Sequence, residues 1–412
     1  MSQPIKIIAL FDYNCITGFG TVSKNLVSHW KNHFGDNMHL DIVAINYFGE
    51  NYSESKNIRV VSAKQTDVAK DDFGRYSFLR SLKDTNYDLV FILQDLGVVT
   101  PMVKFIKKAY EEQKLRNRGI GFKSMLYFPV DFALVPHLTK ELDFFDYLAT
   151  FTEYGKAQVL RLKPNVSKKL HVIPHGNNMS DFDVLPKDEV LAFRKEYFGN
   201  NADKFIVNNI NRNQSRKDIP TTIFGFLEYW DEYNKNSFLH LHMHPNDPMG
   251  WNLRTILSQT PLREGEDYMF NKDIELGNGA SVEDMRKIYN ASDVYLSTAT
   301  GGGWELPVTE AMSCKVPCII PNHTSLGELG KNGERAYMLN TLYPISAMVD
   351  NIIRFQSDLY EIAETLDQVN KDIDSNSIEY KQKIDNGYDF IKSLRWEDIS
   401  KTFIKGIRSL TN

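Results

Sequence analysis

Cysteine is scarce in this sequence, which contains only Cys15, Cys314 and Cys318 among 412 residues. This odd number is too small for a disulfide framework, and the spacing lacks the paired CxxC pattern of a zinc site. The formal net charge of −5 excludes a whole-molecule attraction to nucleic acid or anionic lipid. Apolar runs long enough to span a bilayer are also missing, and the N-terminal run is too short for a secretory signal. We therefore expect a soluble, cytoplasmic protein of two or three domains.

Short apolar runs alternate with segments of helical periodicity along the chain. The first part contains IKIIALF, LDIVAI, DLVFIL, KSMLYF and LHVIP, and the second contains FIVNNI, FLHLHM, DVYLS, PCIIP and AYMLN. Continuous apolar runs are typical of strands that are buried on both faces of a parallel sheet. The pattern predicts an α/β protein with two doubly wound units in series, and a helical stretch over residues 343–412. In such sheets, ligands bind beyond the carboxyl ends of the strands.

Two glycines lie between the first predicted strand and the helix that follows it. They are Gly18 and Gly20, separated by Phe19, and the third glycine of a GxGxxG fingerprint is replaced by Ser23. Glycines at this point allow the backbone to approach an anion or a sugar closely. A glycine-lined turn without a ligand is the alternative interpretation.

A basic cluster follows the predicted strand 205–209. Arg212, Arg216 and Lys217 lie just beyond its carboxyl end, where guanidinium and ammonium groups suit a diphosphate. The alternative is a solvated charged loop.

A glycine-rich loop follows the predicted strand 293–297. Gly301, Gly302 and Gly303 precede a helix that we expect to start at Pro307 and to carry Glu310 in its first turn. Backbone amides beside the positive end of a helix favour a pyrophosphate. Glu310 then either complements the helix dipole or accepts hydrogen bonds from sugar or ribose hydroxyls.

Taken together, these residues resemble glycosyltransferase family 4. The resemblance covers nearly the whole chain and is carried by motifs in the family's order. They are Gly18-Phe19-Gly20, Ile173-Pro174-His175-Gly176-Asn177-Asn178, Arg212 with Lys217, Tyr289-Asn290-Ala291-Ser292-Asp293-Val294, Leu306-Pro307-Val308-Thr309-Glu310-Ala311-Met312, and Trp396-Glu397.

The resemblance implies the GT-B fold, in which two Rossmann-like parallel-sheet domains face each other across a cleft. Residues 1–180 would form the acceptor domain and residues 181–390 the nucleotide-sugar domain, with a C-terminal helix over 391–412 packing back on the first. The implied activity is a retaining, metal-independent transfer from a UDP- or GDP-sugar to a hydroxyl of a glycan, a lipid-linked glycan or another polymer. The resemblance also implies that no cofactor is required besides the nucleotide-sugar donor.

Several alternatives stay open. The acceptor could be a hydroxymethylated base of viral DNA, although the charge does not favour nucleic acid. A sugar-nucleotide epimerase or a phosphorylase would share the architecture. A catalytically silent GT-B protein that binds a sugar or a partner is the alternative outside enzymes.

Residue by residue, the resemblance assigns Arg212 and Lys217 to the donor diphosphate and Glu310 to the donor ribose. The N-terminal glycine loop, Gly18 to Gly20, would close over the donor. The loop that would bind the donor comprises Gly301, Gly302, Gly303, Trp304, Glu305 and Leu306.

The chain departs from the family at two positions of its E-x7-E signature. The first glutamate falls on Gly302, and the usual glycine before Leu-Pro is replaced by Glu305. Our hypothesis is that Glu305 or nearby backbone takes over contacts to the donor sugar. This departure puts the identity of the sugar in doubt more than the reaction class.

Four further features of the sequence bear on function. Asp131, after the strand KSMLYF, is a candidate for acceptor contact or proton transfer, with a helix-capping role as the alternative. The basic stretch 102–118 is a solvated face or a contact for a membrane surface or an anionic acceptor. Neither the alternating histidines 240, 242 and 244 nor the DxD of Asp181 and Asp183 is expected to bind a metal.

Overall fold

The computed structural model describes residues 3–63, 73–271, 279–346 and 350–411. The chain divides into two compact units. The first comprises Met1–Gly176 together with Trp396–Asn412, and the second comprises Asn177–Arg395.

The first unit is a parallel sheet with helices on its connections. Its strands are β1 (Ile5–Asp12), β2 (Met38–Ile45), β3 (Tyr52–Ser55), β4 (Ile58–Ser62), β5 (Leu89–Leu93), β6 (Lys123–Phe128), β7 (Tyr147–Thr150) and β8 (Leu170–Val172). Its helices before residue 176 are α1 (Gly18–Phe34), α2 (Arg75–Asp84), α3 (Leu96–Val99), α4 (Val103–Arg116), α5 (Pro136–Thr139) and α6 (Glu153–Leu162). In the described part of the chain the strand order is β3-β4-β2-β1-β5-β6-β7-β8. Neighbouring strands are parallel except for the pair β3 and β4.

The core of this unit lies on the central strands. All five residues of β5 are buried, and Ile8, Val90 and Leu126 from three neighbouring strands join one apolar cluster. The continuous apolar runs of the sequence are therefore strands covered on both faces, as a parallel sheet requires.

The second unit repeats this architecture. Its strands are β9 (Phe205–Asn209), β10 (Ser237–Leu241), β11 (Tyr268–Phe270), β12 (Val294–Leu296), β13 (Cys318–Pro321) and β14 (Tyr337–Leu339). They are parallel, and their order over the described residues is β11-β10-β9-β12-β13-β14. The helices up to residue 330 are α7 (Lys187–Phe198), α8 (Ile219–Glu232), α9 (Leu253–Leu257), α10 (Val282–Asn290), α11 (Leu306–Ser313) and α12 (Thr324–Gly330). Val207, Leu239 and Val294 belong to its apolar core. The predicted α/β class is confirmed in both units.

The expectation of a wholly helical stretch over 343–412 is wrong at its start. Strands β15 (Thr341–Ser346) and β16 (Ile353–Ser357) form an antiparallel pair there. Both are rich in β-branched and aromatic residues, which favour a pleated strand over a helix. Helices α13 (Leu359–Ser375), α14 (Ile378–Ser393) and α15 (Trp396–Thr411) follow.

The last helix starts at Trp396 and not at residue 391, because residues 391–393 still belong to α14. Leu394 then leaves the helical conformation, with φ −95° and ψ 61°. Helix α15 belongs to the first unit, where Phe403 packs edge-on against Phe91 and Tyr127.

The basic stretch 102–118 contains α4, whose buried face carries Val103, Ile106, Ala109 and Gln113. Its outer lysines 107, 108 and 114 form ion pairs with Glu141, Glu112 and Glu111. Membrane contact through this helix stays a prediction. Among the described helices, none combines the length and the hydrophobicity that crossing a bilayer would demand.

Candidate functional site

The two loops singled out in the second unit meet at one edge of its sheet. Strands β9 and β12 are parallel neighbours, so the loops after them leave the sheet side by side. The Thr300 backbone N–H donates to the Arg216 carbonyl at 2.8 Å, and the Thr300 hydroxyl donates to the same oxygen at 3.1 Å. The fold therefore brings the basic cluster and the glycine-rich loop together.

Arg212 is held by a carboxylate that the sequence analysis missed. Its Nε donates to Asp247 Oδ2 at 2.6 Å, and its Nη2 donates to Oδ1 at 3.3 Å. Burial raises the pKa of Asp247, but the guanidinium and the Met249 N–H outweigh burial and keep that pKa below its usual value. The Arg212 side chain is still 55% exposed, so its orientation is fixed while a ligand can reach it.

Lys217 and Arg216 share a second carboxylate, that of Glu305. The Lys217 ammonium pairs with Glu305 Oε2, and Arg216 Nη1 donates to Oε1 at 3.4 Å. Only 2% of the Glu305 side chain and 8% of the Lys217 side chain are exposed. Burial raises the pKa of Glu305, but the two cations outweigh burial and hold it below its usual value.

Glu305 also has an unusual backbone conformation. It precedes α11 with φ 65° and ψ 73°, in the left-handed region that favours glycine. This conformation costs a side-chain-bearing residue about 1–2 kcal/mol. The ion pairs of the carboxylate accompany that strain.

Two residues at the start of α12 hold the glycine-rich loop through hydrogen bonds. The Ser325 hydroxyl donates to the Gly302 carbonyl at 2.7 Å, and the Gly302 N–H donates to Thr324 Oγ1 at 3.3 Å. The amide of Gly302 is thus engaged within the protein. Trp304 is buried, whereas Gly303 and Leu306 are partly exposed.

Glu310 lies one residue beyond the first turn of α11, because the helix starts at Leu306 and Pro307 is its second residue. The Tyr289 hydroxyl donates to Glu310 Oε2 at 2.7 Å. Burial is the main cause that raises the pKa of Glu310 to about 7, with a smaller contribution from Asp181. The Tyr289 hydrogen bond opposes that rise. A ligand hydroxyl that donated to this carboxylate would favour its ionised form.

The remaining predicted residues belong to the first unit. Gly18, Phe19 and Gly20 form the first turn of α1 and not a loop, because the Thr17 side chain caps the helix by accepting from the Gly20 N–H at 2.9 Å. The Thr17 hydroxyl in turn donates to the buried Asp12 carboxylate at 2.6 Å.

Asp131 follows β6 and is partly buried. It lies close enough to Tyr154 to contribute to the raised pKa of that phenol, after burial. Its role in acceptor contact stays a prediction.

The alternating histidines and the DxD aspartates include residues with structural partners. His240 is buried in β10, where its Nε2 lies 3.2 Å from the Tyr197 hydroxyl, and Asp183 accepts a hydrogen bond from Tyr388. In the described ranges, no group of three or more His, Cys, Asp or Glu side chains has the arrangement of a metal site.

Sequence reasoning missed Asp247 and the role of Tyr289. Asp247 follows β10, a direct neighbour of β9, so its position beyond a strand end was the available signal. Tyr289 was named only as the first residue of one motif of the family resemblance, and its hydroxyl partner depends on how α10 packs on α11.

The comparisons with known proteins agree with this architecture. Residues 269–358 match the family model described as "Glycosyl transferases group 1". This range contains the glycine-rich loop and Glu310, but not Arg212 or Lys217. The match supports a glycosyltransferase.

Solved structures of similar fold cover essentially the whole chain. A structure of HepE from Anabaena in complex with UDP-glucose has a TM-score of 0.68 at 12% identity, covering 98% of this chain and 100% of that one. The structure of sucrose-phosphate synthase from Thermosynechococcus elongatus has a TM-score of 0.70 at 16% identity, and the match covers 99% of this chain and 99% of that one. At these identities the likeness shows the fold, which is that of the GT-B glycosyltransferases.

A curated relative comes from Sulfolobus islandicus rod-shaped virus 1, where it is called "Uncharacterized protein 356". It is 23% identical over 148 residues, which are 35% of this chain and 41% of the relative. The aligned part thus spans less than half of the relative's length.

Proposed function

We propose that this protein transfers a sugar from a UDP- or GDP-sugar to an acceptor hydroxyl, with retention of configuration and without a bound metal. The proposal is carried by one observation: Arg212, Arg216 and Lys217 lie beyond the carboxyl end of β9, and Arg216 and Lys217 contact the glycine-rich loop that precedes α11. The match to group 1 glycosyl transferases supports the reaction class. UDP is supported by relatives of the same fold whose structures contain UDP or UDP-glucose.

In this reaction the bond from the anomeric carbon to the diphosphate breaks, and a bond to the acceptor oxygen forms on the same face of the sugar. The leaving nucleoside diphosphate gains negative charge, which preorganised cations stabilise. Arg212, fixed by Asp247, and Lys217, fixed by Glu305, supply that charge in our proposal. The acceptor hydroxyl loses its proton, and Asp131 is our candidate for contact with that hydroxyl and for receiving the proton.

The acceptor is proposed only as a hydroxyl of a glycan, a lipid-linked glycan or another polymer. Acceptor surfaces differ widely among proteins that share one fold, so architecture does not select among these classes.

A second candidate, a silent GT-B binding protein, is favoured by two features. Gly302 occupies the position of the first signature glutamate, and Arg212 and Lys217 both pair with internal carboxylates. Turnover of the donor separates the two candidates, because a silent protein would bind a nucleotide sugar without cleaving it.

The test combines binding and turnover. UDP and GDP are titrated calorimetrically, and hydrolysis of UDP-glucose and of a GDP-sugar is then measured with and without candidate acceptors. We expect Arg212→Met to weaken nucleotide binding at least about tenfold, because a charge-assisted hydrogen bond contributes about 1.5–3 kcal/mol. Arg254→Met is the matched control, since Arg254 pairs with Glu264 on the surface of the same unit. Equal losses in both variants, or no binding of either nucleotide by the native protein, would contradict the proposal.

A further inference from the structure

Gly302 and Glu305 compete for the same volume. A Cβ atom built on Gly302 would lie 2.5 Å from Cγ and 2.7 Å from Cδ of Glu305, and closer still to its Oε1. Cβ atoms in proteins essentially never approach other heavy atoms within 3.0 Å. The glycine at residue 302 therefore provides the space that the Glu305 side chain fills.

The position of Glu305 is otherwise unsuited to a glutamate. Its left-handed backbone favours glycine, and its carboxylate is almost wholly removed from water. An ionised carboxylate in this environment requires partners, which Lys217 and Arg216 supply. The strained backbone of Glu305 and the burial of its carboxylate thus occur together with these two ion pairs.

The partners of Glu305 are two cations of the proposed diphosphate site. An ammonium has three N–H donors and a guanidinium has five, so the pairing with Glu305 does not use all the donors of either group. The three cations Arg212, Arg216 and Lys217, with the carboxylates Asp247 and Glu305, form a cluster of net charge +1. Such a cluster retains attraction for an anion while its side chains are held in place.

We propose that Glu305 is a positioning residue for the donor diphosphate. Its carboxylate occupies the space that a side chain at residue 302 would otherwise enter. It holds the Lys217 ammonium and the Arg216 guanidinium in the orientation that receives the phosphates. Gly302 is required because any larger residue displaces that carboxylate. This inference rests on the proposed function.

In the contrary arrangement, the Glu305 carboxylate competes with the diphosphate for Lys217. The carboxylate must then leave Lys217 before a diphosphate binds. The two arrangements predict opposite effects of removing the charge. A positioning carboxylate makes Glu305→Gln bind UDP more weakly, whereas a competitor makes the same variant bind UDP more tightly.

The experiment is a cycle of variants at residues 302 and 305, read by UDP titration, by kcat and KM for UDP-glucose hydrolysis, and by thermal denaturation. Glu305→Gln removes the charge at constant shape. Glu305→Gly removes the carboxylate and also relieves the left-handed backbone. Gly302→Ala keeps Glu305 but pushes its carboxylate away from Lys217. Glu283→Gln, which breaks the surface pair with Lys287, is the control for loss of a carboxylate.

We expect each of the three single variants at these two positions to weaken UDP binding at least about tenfold and to raise KM, with the control unchanged. The double variant Gly302→Ala with Glu305→Gly should bind UDP no more weakly than Glu305→Gly alone, because the added methyl group then has no carboxylate to displace. The exchange Gly302→Glu with Glu305→Gly should recover most of the lost affinity. A merely structural role would change the denaturation temperature without this rescue.

Unchanged or tighter UDP binding by Glu305→Gln, in a native protein that binds UDP, would overturn this inference and leave the proposed function standing. Additive losses in the double variant would overturn it as well, and so would failure of the exchange to recover affinity. A native protein that binds neither UDP nor GDP would overturn both the inference and the proposed function.

Discussion

Glu310 should make the stability of the second unit depend on pH in an unusual direction. Burial raises the pKa of this carboxyl from 4.5 to about 7 in the folded protein. Between these two values the folded state keeps the proton while the unfolded chain releases it, so stability falls as the pH rises. The favourable contribution is complete below pH 4.5 and is lost once the pH passes about 7.

The magnitude follows from the same two values. Each pH unit between them changes the free energy of unfolding by about 1.4 kcal/mol, which gives about 3 kcal/mol as the largest total effect. Glu310→Gln removes the titration and resembles the protonated carboxyl in shape. We therefore expect the variant to match the native protein at pH 4.5 and to be more stable by up to about 3 kcal/mol at pH 8.

The assay is urea denaturation at several pH values, followed by hydrogen exchange of peptides from Asn177–Arg395, so that the second unit is observed by itself. Glu283→Gln serves as the control, because that side chain is 76% exposed. A difference between Glu310→Gln and the native protein that stays constant from pH 4.5 to 8 would refute the reasoning. The reasoning would also be refuted if the stability of Glu310→Gln, relative to the native protein, were lower at pH 8 than at pH 4.5.

Two further predictions concern the first unit. Gly20→Ala should lower its stability by about 1–3 kcal/mol, because the new Cβ would lie 2.6 Å from the Cys15 carbonyl oxygen and backbone must shift; calorimetric unfolding measures this, and an unchanged unfolding temperature would contradict it. Asp131→Asn should reduce transfer to the acceptor at least about tenfold while UDP affinity stays constant, because a neutral amide accepts a proton far less readily than a carboxylate. Parallel assays of transfer and UDP titration check this, and equal losses in both would speak against a role in acceptor contact.

Ten of the fourteen strands that the structure describes in the two sheets could be predicted from the sequence, because strands that are buried on both faces are continuously apolar. Strands β3, β4, β7 and β11 were not among the predicted runs. The segments IKIIALF and KSMLYF became β1 and β6 with ends that shift by at most one residue. The hairpin of β15 and β16 was missed because β15 is mostly exposed and β16 mixes exposed with buried residues, so neither shows such a run. A short, mostly solvent-facing strand leaves only a weak pattern in the sequence.

The sequence by itself determined which loops follow the strands of the second sheet and which cations and glycines those loops contain, because strand order along the chain and residue type are local properties. Only the tertiary structure decided how these groups are paired. Arg212 meets Asp247 across 35 residues and Lys217 meets Glu305 across 88 residues. Such partners are selected by which strands become neighbours in the sheet, and Glu305 reaches Lys217 only because Gly302 leaves the space for its carboxylate.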